Sequence, residues 1–180
     1  MIVYRRRLLA AGLALPIAAQ FPRAAMAQSC ARTPNQTEGP FFKTQTPLRT
    51  SFLEKDSPRT RLVVTGQVLS ARCQPVPNAL LEFWHADEAG EYDNKGYRYR
   101  GHQHADAQGR YRLETILPAE YPGRARHIHV KAQAPGGRVL TTQLYFPNEP
   151  GNRRDGIYRP DLEMKIAKPG EGAFDFVVEA

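Results

Sequence analysis

This sequence predicts an all-β fold, an antiparallel β-sandwich with long loops able to carry an active site, and three observations point there. Short apolar runs rich in Val, Leu, Ile and Tyr recur along the chain, each closed by Gly, Pro or Asn. Beyond residue 27 no stretch of about twelve residues holds a 3.6-residue apolar period. The run 126–132 alternates imidazole and aliphatic side chains, the period of a strand whose two faces differ in chemistry.

The first 27 residues read as an export signal: a basic start to Arg7, an apolar stretch from Leu8 to Ala19, and Ala25-Met26-Ala27 at a cleavage site. The apolar stretch is too short to span a membrane. Arg5-Arg6-Arg7-Leu8-Leu9 has a twin-arginine look, and a general secretory signal fits as well, so the protein is expected in the periplasm or outside the cell. The segment holds four arginines and no acid, so without it the net charge falls from +7 to about +3. What remains has no basic run with interleaved aromatics, which argues against nucleic acid. Cys30 and Cys73 are the only two cysteines; export permits them to pair, and the sequence leaves pairing and free thiols both open.

Residues 28–60 mix Pro, Thr, Ser and charges without a period and are expected to form an extended arm over a core at 61–180. Within the arm, Thr37-Glu38-Gly39-Pro40-Phe41-Phe42 either docks near a site or simply anchors a loop. Strands are expected at 61–70, 79–85, 109–116, 126–132, 139–146 and 173–178, with turns at 74–78 and 136–137. Polar loops are expected at 86–108 and 147–172, and loops so long in a compact domain are often functional.

The chemistry gathers in Tyr121-Pro122-Gly123-Arg124-Ala125-Arg126-His127-Ile128-His129. On a strand, His127 and His129 project from one face with Lys131 and Gln133, while Ile128, Val130 and Ala132 turn to the core. A single histidine or tyrosine in a β protein is usually a hydrogen-bonded structural residue. Clustered imidazoles and phenols form a metal shell instead, and hard anionic oxygen with imidazole suits ferric iron, although spacing alone leaves zinc as the ordinary choice. The acids Glu82, Asp87, Glu88 and Asp106 lie in a suitable region for carboxylate-pair chemistry, but nothing selects two of them.

Several ordered motifs carry a family resemblance: Thr37 to Phe42, Ala79-Leu80-Leu81-Glu82-Phe83-Trp84-His85-Ala86-Asp87, Gly90-Glu91-Tyr92, Thr115 to Pro122, His127-Ile128-His129 and Thr141 to Phe146. With these the chain resembles the intradiol ring-cleavage dioxygenases, in particular the protocatechuate 3,4-dioxygenase type of core, from about Thr37 to Glu179. The resemblance implies a mononuclear ferric site with Tyr92, Tyr121, His127 and His129 as metal ligands, and a catechol-type substrate cleaved with O2 between its hydroxyls to a cis,cis-muconate-type product. It implies that Tyr121 gives way to substrate and takes its proton, that Arg124 stabilises developing negative charge, and that Gln143 matches a glutamine of the same site. It also implies assembly that varies among members, so a homo-oligomer is an option.

Departures from that pattern are Phe41-Phe42, where a tyrosine is frequent, and His85-Ala86, where Gln-Ala is frequent. His85 is expected to be a loop or strand-end side chain. His102 and His104 are expected on the surface of the loop before Asp106, with a weak second metal site as an option. A non-catalytic β-sandwich binding module and a different metalloenzyme on the same four ligands are the competing readings.

Overall fold

The computed structural model describes residues 29–180, so the export segment expected at 1–27 lies outside the described residues. The described strands are β1 (Arg61–Ser70), β2 (Leu80–Trp84), β3 (Arg100–His104), β4 (Arg110–Ile116), β5 (His127–Gln133), β6 (Leu140–Tyr145), β7 (Lys165–Lys168), β8 (Glu171–Ala173) and β9 (Phe176–Val178). They form the two sheets of a sandwich. One is antiparallel throughout, in the order β3-β2-β5-β6; the other runs β4-β1-β8-β7, with β9 also beside β1. Alternation places the inner faces. Leu81, Phe83, Ile128, Val130 and Leu144 of the first sheet meet Val64, Val68, Leu113 and Phe176 of the second in one apolar core. Each such side chain contributes about 1.5–3 kcal/mol by leaving water.

The second sheet is mixed rather than purely antiparallel, because β8 and β9 both run parallel to β1. The expected strand at 173–178 is correspondingly split in two. The break falls at Gly66, where an added Cβ would stand 1.8 Å from the Phe174 carbonyl oxygen. A glycine there lets the chain cross β1 closely, and the crossing segment bonds it through Phe174 N to Thr65 O (2.9 Å) and Gln67 N to Asp175 Oδ1 (2.8 Å).

Both expected long loops hold more structure than their composition suggests. Strand β3 lies within 86–108 although Arg-Gly-His-Gln-His has little β-propensity; it is a strand because it completes the free edge of β2. Gly101 makes room there, since a Cβ would come within 2.7 Å of the Phe52 ring. His102 and His104 therefore stand on a strand, not in a loop, with His102 half-buried and His104 exposed. The segment 147–172 holds 3-10 turns at Pro150–Arg153 and Pro160–Leu162 and the exposed strand β7.

Residues 29–60 contain no strand or helix of their own and lie along both sheets. Thr33 bonds Val177 in both directions, Gln36 N donates to Thr141 O at 2.8 Å, and Phe52 is fully buried. Cys30 and Cys73 form a disulfide with their Cα atoms 5.2 Å apart, tying the start of this segment to the turn after β1. The bridge closes 43 residues of chain, for which loop-closure entropy corresponds to about 4 kcal/mol. Cys73→Ser is expected to lower the free energy of unfolding by about 2–4 kcal/mol, read from the urea midpoint. An unchanged midpoint would mean that the bridge adds no stability.

Candidate metal centre

Strand β5 runs through the middle of the antiparallel sheet, and its register builds the site. Trp84 on β2 is opposite both Arg100 on β3 and His129 on β5, and His129 is opposite Gln143 on β6. These four side chains therefore form one row across the sheet. His127 and Tyr145 are the next opposed pair. Ile128, Val130 and Ala132 point into the core, as alternation requires. The histidine face carries the half-buried Lys131 and Gln133, yet both histidines are themselves buried, because the N-terminal segment covers them. At Gly39 an added Cβ would lie 3.3 Å from His129 Cε1, and Glu38 pairs with Lys131 at 2.5 Å. Beneath that cover the Trp84 indole stacks on His129 at 4.8 Å, with the ring planes within 5° of parallel. Phe41 stacks on Tyr92 at 4.3 Å and Phe42 leans on Trp84 at 4.9 Å, so the Thr37–Phe42 motif both docks at the site and anchors the segment.

Two loops deliver the phenols. Asp87 accepts from the backbone N–H groups of Ala89 and Glu91, tightening the turn before Tyr92. Gly90 (φ 85°) permits the contact between the loops: its added Cβ would be 2.5 Å from Glu120 O. Tyr121-Pro122-Gly123-Arg124 closes through Arg124 N to Tyr121 O at 3.0 Å, with Gly123 at φ 83°, as a Pro-Gly type II turn requires. That turn sets Tyr121 and Arg124 side by side, with Arg124 Nη1 3.3 Å from the Tyr121 hydroxyl.

The result is a convergence of four rings. Ring centroids are 4.7 Å apart for His127 and His129, 5.6 Å for Tyr121 and His127, 5.8 Å for Tyr92 and Tyr121, and 6.0 Å for Tyr92 and His129. Tyr92 Oη lies 3.4 Å from His127 Nε2, which lies 3.1 Å from His129 Nε2. His127 Nδ1 donates to Ala125 O at 2.6 Å, so its Nε2 lone pair is the one aimed into the cluster. Burial, helped by the Arg124 charge, pulls His127 down to about 4; burial and the His127 charge hold His129 well below the usual histidine range. Both imidazoles are thus neutral at neutral pH, the form that binds metal.

Two imidazole nitrogens each about 2.1 Å from one cation stand about 3.0–3.4 Å apart, from a right angle to a tetrahedral one. The observed 3.1 Å matches that spacing, and the residues present fit a metal ion. Burial and the nearby Tyr121 push the Tyr92 phenol above its ordinary value, a shift that a multivalent cation in the cluster would reverse. Among the described residues no three His, Cys, Asp or Glu side chains converge on a common point, so a metal here would draw on the phenols. The same observation bears on His102 and His104, where no metal-binding group of that kind is found.

Arg124 and Gln143 join the rings in one hydrogen-bonded network. Arg124 Nη2 donates to Gln143 Oε1 at 2.5 Å and to the Tyr145 hydroxyl at 3.3 Å, and Gln143 Nε2 donates to Thr37 O at 3.0 Å. Burial works against the Arg124 cation, but the Asp155 charge and hydrogen bond overcome it and raise its pKa. Tyr121 and Arg124 border a cleft of about 480 Å³, with Glu120, Arg154 and Asp155 on its walls. All six residues expected from the sequence are brought together. Tyr145 and Asp155 were missed: alternation from Gln143 could have found Tyr145, whereas no pattern in the loop marks Asp155. The scattered acids do not pair, since Asp87 and Asp106 hold backbone amides and Glu82 accepts from Thr46.

A match to the dioxygenase family model covers residues 37–171, and this chain belongs to that family, the intradiol ring-cleavage dioxygenases. It is 38% identical over 117 residues to the protocatechuate 3,4-dioxygenase beta chain of Burkholderia cepacia, covering 55% of this chain and 50% of the relative. It is 29% identical over 175 residues to catechol 1,2-dioxygenase 2 of Acinetobacter lwoffii, covering 79% of this chain and 64% of the relative. The chain thus spans about half to two thirds of the length of these curated relatives. Among solved structures, the dioxygenase domain of a dioxygenase carbohydrate-binding protein fusion from Streptomyces sp. SirexAA-E superposes with a TM-score of 0.79 at 52% identity, covering 83% of this chain and 99% of that one.

His85 is the strand-end side chain expected, just past β2, and it is buried; its ring nitrogens bond Ala86 O and Thr115 Oγ1, both at 2.7 Å. Burial lowers its pKa to about 4. An unfolded chain takes up this proton near pH 6.5 and the folded one near pH 4, so stability is lost as pH falls from about 6.5 towards 4, by up to about 3 kcal/mol. His85→Gln keeps hydrogen-bonding capacity without the titration. Urea unfolding of the variant between pH 7 and pH 4 is expected to show a shallower loss than the unmodified protein; equal slopes would refute the assignment to His85.

Proposed function

We propose that this protein is a ferric intradiol dioxygenase that cleaves a catechol-type ring between its two hydroxyls with O2, giving a cis,cis-muconate-type product. The convergence of the Tyr92, Tyr121, His127 and His129 rings carries this reading. Tyr92, Tyr121, His127 and His129 would hold the metal: two phenolate oxygens and two neutral imidazoles suit ferric iron better than the thiolate sites of zinc or the all-oxygen sites of magnesium. When bound, ferric iron would withdraw electron density from a catechol and so permit its reaction with O2.

The protein's own groups account for binding and proton movement. Tyr121 borders a cleft and, as the phenolate it would be when holding the metal, is the group to accept a proton from an incoming catechol hydroxyl. Arg124, with Nη1 3.3 Å from the Tyr121 hydroxyl oxygen, is the fixed cation facing negative charge that would develop on the substrate. Gln143 orients Arg124 through its amide oxygen and ties the covering segment through its amide nitrogen. Phe41 and Trp84, packed on Tyr92 and His129, keep water from these two rings. The names of the relatives, protocatechuate and catechol dioxygenases, support a small dihydroxylated ring as substrate. We also infer export to an oxidising compartment, the periplasm or beyond, which the Cys30–Cys73 disulfide supports. Among the described residues no helix is long and apolar enough to cross a membrane.

The iron-loaded protein is expected to be coloured by tyrosinate-to-iron charge transfer, to shift its visible spectrum with catechols, and to consume O2 only when one is supplied. A colourless protein that stays inactive after anaerobic iron loading would sink the proposal. His127→Ala and His129→Ala are expected to lose the metal. Tyr121→Phe is expected to keep it and to slow substrate binding in stopped-flow measurements; binding at the unmodified rate would show that Tyr121 is not the group that receives the substrate proton.

A further inference from the structure

We propose that Asp155 is a positioning residue for Arg124, holding the guanidinium so that Nη1 meets the Tyr121 hydroxyl and Nη2 meets the Gln143 amide oxygen. The proposal rests on the dioxygenase reading of the site. The Asp155 side chain is 1% exposed. Its Oδ2 accepts from Arg124 Nε at 3.0 Å and from Ala125 N at 3.0 Å, and its Oδ1 accepts from Ile157 N at 3.0 Å. The carboxylate is therefore fixed from both sides before it meets the arginine. Its backbone is anchored as well: Asp155 N donates to Gly151 O at 3.1 Å, at the end of the 3-10 turn Pro150–Arg153. That turn packs against the Tyr121 loop, because an added Cβ at Gly151 would be 2.2 Å from Glu120 Oε1.

Each nitrogen of the Arg124 fork then has its own acceptor. Nε goes to Asp155, Nη1 to Tyr121, and Nη2 to Gln143 and Tyr145. A long side chain with several rotors holds one orientation only when something fixed takes its inner nitrogen, and the rigid fork carries the outer two with it. Without Asp155 the cation would remain in the site but not face the Tyr121 oxygen. Asp155 also bonds Ala125 N, and Ala125 O holds His127, so a useful test must separate the arginine from the strand.

A double-mutant cycle on catechol cleavage, joined to hydrogen exchange of the Arg124 Nε–H in the metal-free protein, makes that separation. Asp155→Asn is expected to keep its iron, to lower kcat on the order of 10²-fold with little change in KM, and to lower it no further once Arg124 is alanine. In the metal-free protein the same substitution is expected to speed Nε–H exchange about tenfold. A further fall of kcat in the Arg124→Ala background, loss of iron, or unchanged exchange would each overturn the proposal. Should Asp155→Asn not fold, Asp155→Glu carries the same cycle, with kcat expected below that of the unmodified protein and unaffected once Arg124 is alanine. If the unmodified protein cleaves no catechol, the dioxygenase reading fails, while the exchange measurement still decides whether Asp155 holds Arg124.

Discussion

Two imidazole nitrogens held 3.1 Å apart and kept unprotonated by burial are the constraint on which the rest of the site depends. Lone pairs turned toward each other at that distance repel unless a proton or a cation lies between them. Keeping them there takes a stiff frame, and β5 supplies it as an inner strand bonded on both sides. The aliphatic face of the same strand is locked into the sandwich core by Ile128, Val130 and Ala132. A one-residue slip of register would turn both histidines into that core, so the sheet cannot form in that register without burying them unpaired.

Around this pair, irregular backbone brings what strands cannot. The two phenols come from different loops, and they meet because Gly90 allows one loop to press against the carbonyl of Glu120 in the other. The covering segment closes the far side, with Gly39 against His129 and Phe41 against Tyr92. Its attachment runs through both sheets and the disulfide, which makes the wall of the site part of the fold rather than a mobile flap. Arg124 and the fully buried Arg100 both lie near Tyr92 and contribute positive charge to its surroundings, a field that favours anionic oxygen in the cluster. Arg100 is held by backbone carbonyls of Asp93 and Phe41 and lies over the Tyr92 ring at 5.8 Å.

Alternation made much of this legible. The facing of His127 and His129 and the aliphatic underside of β5 followed from a two-residue period, and the strands β1, β2, β4, β5 and β6 from that period or from apolar runs closed by turn residues, to within a residue at each end. Strand β3 did not, because a strand of Arg, Gly and His has no local reason to extend; its pairing with β2 supplies one. The parallel run of β8 and β9 was equally hidden, since direction in a sheet depends on how distant segments return and on the gap at Gly66. His85 illustrates the limit for side chains: its place at a strand end was legible, whereas its burial against Thr115 from the opposite sheet was not.

By itself, then, the sequence determined the fold class, the two faces of β5 and the residue types that gather at the site, because period, turn chemistry and donor type are local properties. The tertiary structure alone decided the pairing of Cys30 with Cys73, the cover over the histidines, and the carboxylate that grips Arg124. Those contacts join residues far apart in the chain, 31 positions in the case of Arg124 and Asp155. Nothing near either residue records where the other will lie, and only the packing of the whole chain brings them within a hydrogen bond.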